Sequence, residues 1–281
     1  MILLAESGST KTEWCLVSKT TVSEHSFTDG INPYFESRKE ISHTIRLQLP
    51  EIFFKTKIQS IYFYGAGCSS VEKKGVVKAS LESQFRTPAF VESDLLGAAR
   101  SLFNDQAGIA CILGTGSNSC FYDGEEITKN VRPLGFILGD EGSGAFLGKT
   151  FLSDCLKGLA PDELATPFYK KYGIDPEQIL DYIYSKPFPN RLLAVLSFYL
   201  SENLGHPYIY DLVYNSFRSF FERNVLQYDC QNYPVRFCGS VAKKYSSMLK
   251  QVSADLGITI DSITENPVEG LIQYHRNSLQ L

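Results

Sequence analysis

Residues 2–14 read ILLAESGSTKTEW, an apolar run, a turn of small residues and the start of a second apolar run. The run Ile2–Ala5 predicts a buried strand, and the segment Glu6–Thr10 predicts a turn that leads into another strand. Small side chains leave backbone N–H groups exposed in such a turn, hydroxyls add donors, and Lys11 adds positive charge. The spacing of a Walker loop is absent. The stretch therefore predicts an anion site, unless it is an ordinary hairpin turn with a solvated lysine.

The same pattern returns at residues 109–122, which read IACILGTGSNSCFY. A buried strand is predicted over 109–113, and the turn GTGSN at 114–118 leads into a returning strand. Its glycines let a backbone approach a phosphate closely, and its hydroxyls can donate hydrogen bonds. Glycine and asparagine also favour plain hairpin turns. Two such turns at the heads of two equivalent halves together predict a site for a polyphosphate.

The spacing of strands and amphipathic helices predicts two domains. A polar, loop-like segment near residue 106 separates an N-terminal domain over 1–106 from a C-terminal domain over 107–266 that carries a helical insertion. A C-terminal helix over about 267–281 is expected to pack back on the first domain. The doubling is one of architecture, because no short repeat is visible in the sequence.

Acidic residues follow strands or glycines at two further places. Residues 135–144 read GFILGDEGSG, in which four glycines surround Asp140 and Glu141. These acids could cap a helix, but the glycines favour a site where carboxylates accept hydrogen bonds from a sugar. Asp94 follows a short strand that is predicted to end at Phe90-Val91, so it could cap the next helix or accept a proton as a general base.

A third strand-to-helix junction is FCGSVA at 237–242. Its Gly-Ser turn could lie against the base and ribose of a nucleotide, or it could be a plain connection.

The overall composition excludes several classes of protein. A net charge of −4 gives no signature of nucleic-acid binding. The apolar start has no basic flank, so neither a signal peptide nor a membrane anchor is expected, and no run approaches the ~20 apolar residues of a membrane span. The 7 cysteines are scattered without a CxxC pair, which is typical of reduced thiols in a cytoplasmic protein.

On the motifs SGSTKT at 7–12, GTGSN at 114–118 and LGDEGSG at 138–144, the chain resembles the N-acetylglucosamine kinase-like branch of the family that includes the benzoyl-CoA reductase-type ATPases. That family belongs to the sugar kinase, actin and heat-shock ATPase superfamily. The resemblance implies an α/β fold of two ribonuclease H-like domains with an interdomain cleft that closes on its substrates. It further implies ATP, Mg²⁺, a sugar substrate, and frequently a homodimer. The expected reaction is phosphorylation of an amino sugar, N-acetylglucosamine, at the 6-hydroxyl.

The resemblance also implies roles for individual residues. The residues matched to the ATP phosphates are Ser9, Thr10, Lys11, Thr12, Gly114, Thr115 and Gly116. Gly239 and Ser240 match the adenosine motif. Asn32 and Asp140 match residues that hold the sugar, and Asp94 matches the residue that binds the sugar and accepts its hydroxyl proton.

Glu6 departs from the pattern, because the family usually has aspartate at this position to orient the water shell of the metal. Glutamate is longer by about one C–C bond of ~1.5 Å, so we expect slower catalysis or an altered metal preference. Two alternatives remain open at this point: an ATPase that activates an electron-transfer system, and a sugar-binding relative with weakened turnover.

Overall fold

The structure is a computed structural model that describes residues 1–278. It is built from two five-stranded sheets, each flanked by helices. The first sheet has the order β3-β2-β1-β4-β5. Its strands are β1 (Ile2–Ser7), β2 (Lys11–Val17), β3 (Val22–Asp29), β4 (Ile61–Gly65) and β5 (Ala89–Ser93).

The central strand of the first sheet, β1, is antiparallel to β2 and parallel to β4. Its apolar residues are buried on both faces, because helices cover both sides of the sheet. Leu3 and Ala5 join the core under the first helices, whereas Ile2 and Leu4 face the opposite side. The helices of this region are α1 (Arg38–Gln48), α2 (Glu51–Lys55), α3 (Val71–Phe85) and α4 (Asp94–Phe103).

The second sheet has the order β10-β9-β6-β7-β8. Its strands are β6 (Gly108–Leu113), β7 (Ser117–Tyr122), β8 (Ile127–Asn130), β9 (Val235–Cys238) and β10 (Ile260–Thr264). Written in the opposite direction, the order is β8-β7-β6-β9-β10. Counted along the chain within each sheet, both sheets therefore have the order third, second, first, fourth, fifth strand. The predicted fold of two ribonuclease H-like halves is therefore confirmed.

Helices fill most of the chain between β8 and the C-terminus. They are α5 (Gly135–Leu138), α6 (Gly144–Leu156), α7 (Asp162–Tyr172), α8 (Ile179–Ser185), α9 (Pro189–Glu202), α10 (Pro207–Arg223), α11 (Ser240–Lys244), α12 (Ser246–Asp255) and α13 (Val268–Ser278). Among the residues that the structure describes, no helix combines the length and apolar character that a membrane span requires.

Contacts within the chain define two compact units. One contains residues 1–110, 120–129 and 266–278, and the other contains 111–119 and 130–265. In the first unit, Leu271 of α13 packs against Ile2 and Leu4, and the imidazole of His275 lies 3.0 Å from the hydroxyl of Tyr64. Residues 279–281 of the C-terminal helix expected from the sequence lie outside the described residues.

One predicted strand is displaced. The sequence favours a last strand over 257–260, but β10 runs over Ile260–Thr264. Its residues are mostly exposed or half-buried, and it pairs with β9 in parallel at the edge of the sheet. The position of this strand is therefore set by its backbone pairing with β9 and not by the apolar residues around Ile258 that led to the prediction.

Candidate active site

The first turn is shorter than the sequence suggested. Glu6 and Ser7 are not part of it, because β1 continues to Ser7, which pairs with Thr12 of β2 and Gly65 of β4. The turn proper is Gly8–Thr10, closed by a hydrogen bond of 3.0 Å from the Gly8 N–H to the Lys11 carbonyl.

Gly30, just after β3, supports this turn from the side. Its N–H donates to the Thr10 carbonyl at 3.1 Å. A Cβ atom at Gly30 would lie 2.8 Å from the Ser9 carbonyl oxygen, which real Cβ atoms do not tolerate. The sequence interpretation missed this residue. A glycine directly before Ile31-Asn32 was the available signal.

The hydroxyl groups of the turn differ in accessibility. Thr12 is buried; its hydroxyl donates to the Asp29 carbonyl at 3.0 Å and lies 2.7 Å from the Ser7 hydroxyl. Its side chain therefore ties β2 to β1 and β3. Thr10 and Lys11 are exposed, and the Lys11 ammonium lies 4.7 Å from the centre of the Phe27 ring. This cation–π contact keeps the positive charge beside the turn.

Asp94 is the first residue of α4, directly after β5. It is not the helix cap; Ser93 has that role, its hydroxyl accepting from the Leu96 N–H at 3.2 Å. One carboxylate oxygen of Asp94 accepts from the Leu95 N–H at 2.9 Å. Burial raises the pKa of Asp94 to about 6, although backbone hydrogen bonds, including that from Leu95, oppose the shift. The carboxylate is thus more basic than an ordinary aspartate and still ionised at neutral pH.

Glu6 lies in β1 directly opposite Glu13 of β2, so the two side chains share one face of the sheet. Burial, together with the negative charges of Asp94 and Glu13, raises the pKa of Glu6 to about 8 against the opposing charge of Lys11. Glu6, Asp94 and Glu13 therefore form an acidic group on the α4 side of the first sheet.

Asn32 is half-buried in a tight turn after Gly30. Its side-chain oxygen accepts from the Tyr34 N–H at 3.0 Å, and its own N–H donates to Glu36 at 2.7 Å. Gly67, at φ +79°, lies against this amide, because a Cβ there would fall 2.3 Å from the Asn32 Oδ1 atom. The orientation of the Asn32 amide is thus fixed.

The second turn is held by the N-terminus of α6. The N–H groups of Gly144 and Ala145 donate to the carbonyls of Gly114 and Thr115 at 2.9 and 3.1 Å. These are first-turn N–H groups, which have no partner within a helix. Two carbonyl groups of the turn are therefore hydrogen-bonded to the helix, and α6 fixes the conformation of the turn.

Asp140 contacts the second turn from the other side. It adopts φ +60°, and its carboxylate accepts from the Ser117 N–H at 3.3 Å. A Cβ at Gly116 would lie 3.0 Å from the carboxylate, so this glycine permits the approach. Burial raises the pKa of Asp140, although the Ser117 hydrogen bond opposes the shift. The cap of α6 is Ser143, not either acid.

Asp140 also borders a cavity of about 310 Å³ within the second unit. The cavity wall includes Glu141 and Arg223, which form an ion pair of 3.1 Å, together with Arg132. The arginines of the wall can donate hydrogen bonds and its acids can accept them. The cavity is therefore suited to a polar small molecule.

Gly239, the residue before α11, lies against the end of β6. It has φ +121°, and a Cβ there would lie 2.2 Å from the Leu113 carbonyl oxygen. Leu113 is the residue directly before the second turn, so the Gly239-Ser240 junction lies close to that turn.

The structure thus groups the residues selected from the sequence within each unit. In the first unit, Glu6 and Asp94 interact electrostatically, and Lys11 borders the turn 8–10. In the second unit, Asp140 contacts the turn 114–118, and Gly239 lies against the strand that precedes it.

Solved structures resemble the whole chain. A candidate N-acetylglucosamine kinase from Porphyromonas gingivalis is 47% identical, with a TM-score of 0.95, over 99% of this chain and 100% of that one. A second such protein, from Chromobacterium violaceum, is 17% identical, with a TM-score of 0.75, over 98% and 99% of the two chains. A ROK-family glucokinase from Streptomyces griseus, solved with glucose and AMPPNP, is 13% identical, with a TM-score of 0.64, over 100% and 99%.

The two more distant structures share the fold with this chain. No family model matches the chain, and no curated protein matches it. The neighbours are kinase-like and ROK-family proteins, and they do not support the expected placement beside the benzoyl-CoA reductase-type ATPases.

Proposed function

The chain belongs to the family of the Porphyromonas gingivalis candidate N-acetylglucosamine kinase, within the sugar kinase and actin-like ATPase superfamily, and on this premise we propose that it phosphorylates N-acetylglucosamine at the 6-hydroxyl with ATP. The observation that carries the proposal is the 47% identity over 99% of the chain. Asp94 supplies the chemical group that the reaction needs.

Asp94 is proposed to accept the proton of the attacking sugar hydroxyl. A base is most effective when its pKa approaches the working pH, and burial raises the pKa of Asp94 to about 6. The Leu95 N–H bond occupies one carboxylate oxygen and fixes the plane of the group. The Ser93 cap holds the helix end from which Asp94 projects. The general base would thus be oriented before the sugar arrives.

The two turns are proposed to bind the phosphates of ATP. In the first, exposed Thr10 and Lys11, with half-buried Ser9, can donate to phosphate oxygens. In the second, Gly114–Gly116 has no bulky side chain, and α6 fixes its backbone. Gly239 and Ser240, which the family resemblance matches to the adenosine motif, are proposed to contact adenosine; Gly239 lies against Leu113, the residue before the second turn.

Asn32 and Asp140 are proposed to bind the sugar. The oxygen of the Asn32 amide accepts from Tyr34, which leaves the orientation of its NH₂ group fixed. The Asp140 carboxylate borders a polar cavity and can accept from sugar hydroxyls.

The residues present fit Mg²⁺, which the family implies. The negative charge of Asp94 contributes to the raised pKa of the Glu6 carboxyl group, and carboxylate oxygen is the donor that Mg²⁺ prefers, so a bound cation would favour the ionised form of Glu6. When bound with ATP, Mg²⁺ would neutralise phosphate charge as the phosphoryl group is transferred. Glu6 would hold water in the metal's shell through hydrogen bonds.

The electron-transfer alternative gains no support from the cysteines. Every cysteine except Cys230 is buried, and a cluster held by two subunits needs thiols at the surface. The remaining alternative is a relative that binds sugar without turnover. The experiment below distinguishes it from a kinase.

The decisive experiment is an ADP-release screen over amino sugars and hexoses with ATP and Mg²⁺. We expect N-acetylglucosamine to give the highest kcat/KM, and Asp94→Asn to lower kcat by ~10²–10⁴. Asp123→Asn, at an exposed hairpin tip, is the matched control and should be neutral. Sugar binding by calorimetry without ADP release from the wild type would instead favour the non-catalytic relative.

A cytoplasmic location and a homodimer, both expected from the sequence, stay predictions. Light scattering of the purified protein would test the dimer directly.

A further inference from the structure

The β2–β3 hairpin carries a group of three side chains that the proposed kinase reaction does not use. Glu13 and Cys15 lie two residues apart on β2 and share a face. His25 of β3 is directly opposite Cys15 in the strand register. One ligand atom from each residue lies within 4.8 Å of the other two. A carboxylate, a thiol and an imidazole therefore converge on one point.

The carboxylate of this group is held on both of its oxygens. His25 Nε2 lies 2.7 Å from Glu13 Oε1, and the Asn266 side-chain NH₂ donates to Glu13 Oε2. The Asn266 amide is itself oriented, because its oxygen accepts from the Val268 N–H at 2.9 Å. The Asn266 bond is of the outer kind that commonly orients a metal-binding carboxylate, whereas a bound ion would replace the direct contact between His25 and Glu13.

An ordinary His–Glu ion pair would explain only part of the arrangement. It would not need the thiol of Cys15, which lies on the same face and directly opposite His25, at the border of the core cluster that contains Ile2 and Leu4. The His25 side chain is 46% exposed and that of Glu13 only 7%, so an ion could enter past the imidazole. The charged groups that face this cluster from the sheet are Glu6, directly opposite Glu13 in the strand register, and Lys11, whose ammonium lies over the Phe27 ring.

We propose that Glu13, Cys15 and His25 bind Zn²⁺, with water in a fourth position. Sulfur, nitrogen and oxygen donors together suit Zn²⁺, and the thiolate discriminates against Mg²⁺. On binding, the Cys15 thiol loses its proton to solvent, and any proton shared by His25 and Glu13 leaves as well. The ion would fasten the edge strand β3 to β2, beside the first turn.

The site is tested with Co²⁺ as a spectroscopic substitute in the full-length protein, without ATP or sugar. We expect one Co²⁺ per chain, a thiolate-to-cobalt charge-transfer band, and displacement by Zn²⁺. His25→Asn should weaken Zn²⁺ affinity by at least about tenfold, as loss of a supporting or direct ligand commonly does. Because His25 is exposed, this variant should fold. His43→Asn, at another exposed histidine, should bind as the wild type does.

Two further variants sharpen the test. Cys15→Ser should abolish the charge-transfer band, whereas Cys120→Ser, at a buried cysteine outside the cluster, should retain it. Zn²⁺ should raise the melting temperature of the wild type with concentration, and His25→Asn should lose that response. A cobalt complex without the thiolate band, or equal Zn²⁺ affinity for His25→Asn and His43→Asn, would overturn the proposal. Neither result depends on the kinase activity.

Discussion

A Cβ atom on Gly30 would lie 2.5 Å from the carbonyl oxygen of Gly8, so the chain after β3 rests directly against the first turn. The neighbouring Gly30 N–H donates to Thr10 in the same turn. The conformation of a proposed phosphate site therefore depends on a residue more than twenty positions away in the sequence.

We expect Gly30→Ala to displace the first turn and raise the KM for ATP. The added methyl meets backbone atoms that cannot turn aside, and overpacking of this kind costs about 1–3 kcal/mol of stability. Gly75→Ala is the control, because a Cβ at this helical glycine has no heavy atom within 4 Å and should stabilise by about 0.5–1 kcal/mol. Steady-state kinetics with varied ATP, together with urea unfolding, check both. An unchanged KM for ATP in Gly30→Ala would show that the conformation of this turn does not matter for nucleotide binding.

Such contacts mark the limit of what the sequence could predict. Ile2–Ala5 and Ile109–Leu113 are apolar runs, so their burial as strands follows from the sequence, and the fold of two ribonuclease H-like halves follows from the resemblance. The supports of the two turns are non-local: Gly30 on the first, and Gly239 on Leu113 before the second. A single sequence can draw attention to a glycine such as Gly30, but it has no signal for the distant residue against which that glycine packs.

Helix caps show a second limit. Asp94 and Asp140 both precede or begin helices, so either could cap one, but Ser93 and Ser143 take that role in the structure. Serine and aspartate are nearly equal as caps, and backbone φ decides between neighbours. Asp140, at φ +60°, is directed toward the second turn instead.

The activity should depend on pH through Asp94. Its carboxylate must be ionised to accept a proton, and burial raises its pKa to about 6. We therefore expect kcat/KM for the sugar to be level above about pH 7 and to fall about tenfold per unit below its pKa. An ordinary aspartate would show no fall until near pH 4. A profile measured with wild type, and the residual rate of Asp94→Asn as a control that lacks this limb, would check the assignment.

Asp140 has two candidate roles that one substitution can separate. Asp140→Asn keeps an oxygen to accept from the Ser117 N–H, and asparagine tolerates positive φ. We expect the KM for ATP to stay within about twofold, while the KM for the sugar rises by tenfold or more, the equivalent of about 1.4 kcal/mol from a lost charged acceptor. Two-substrate kinetics give both constants. If the ATP constant rises alone, Asp140 positions the phosphate turn and does not bind the sugar.

Glu6 should make stability depend on pH in metal-free buffer. Burial raises its pKa from 4.5 to about 8 in the folded protein. The folded state then holds a proton that the unfolded state has released, so the free energy of unfolding falls as pH rises through this window. Glu6→Gln cannot titrate, and we expect a flatter pH dependence. Urea unfolding with EDTA at several pH values measures it, with Glu24→Gln, at an exposed position of β3, as the control. Parallel slopes for wild type and Glu6→Gln would contradict the raised pKa.

Glu6→Asp tests whether the longer side chain limits catalysis. Glutamate extends the carboxylate by about 1.5 Å relative to aspartate, and Mg²⁺ is strict about the geometry of its water shell. If Glu6 lies in that shell, shortening it should raise kcat with Mg²⁺ or change the ratio of rates with Mg²⁺ and Mn²⁺. Glu24→Asp, at an exposed position of β3, controls for shortening an acidic side chain outside the site. Lower activity of Glu6→Asp with both metals would show that the protein is built around glutamate at this position, because the backbone of β1 then already compensates for the longer arm.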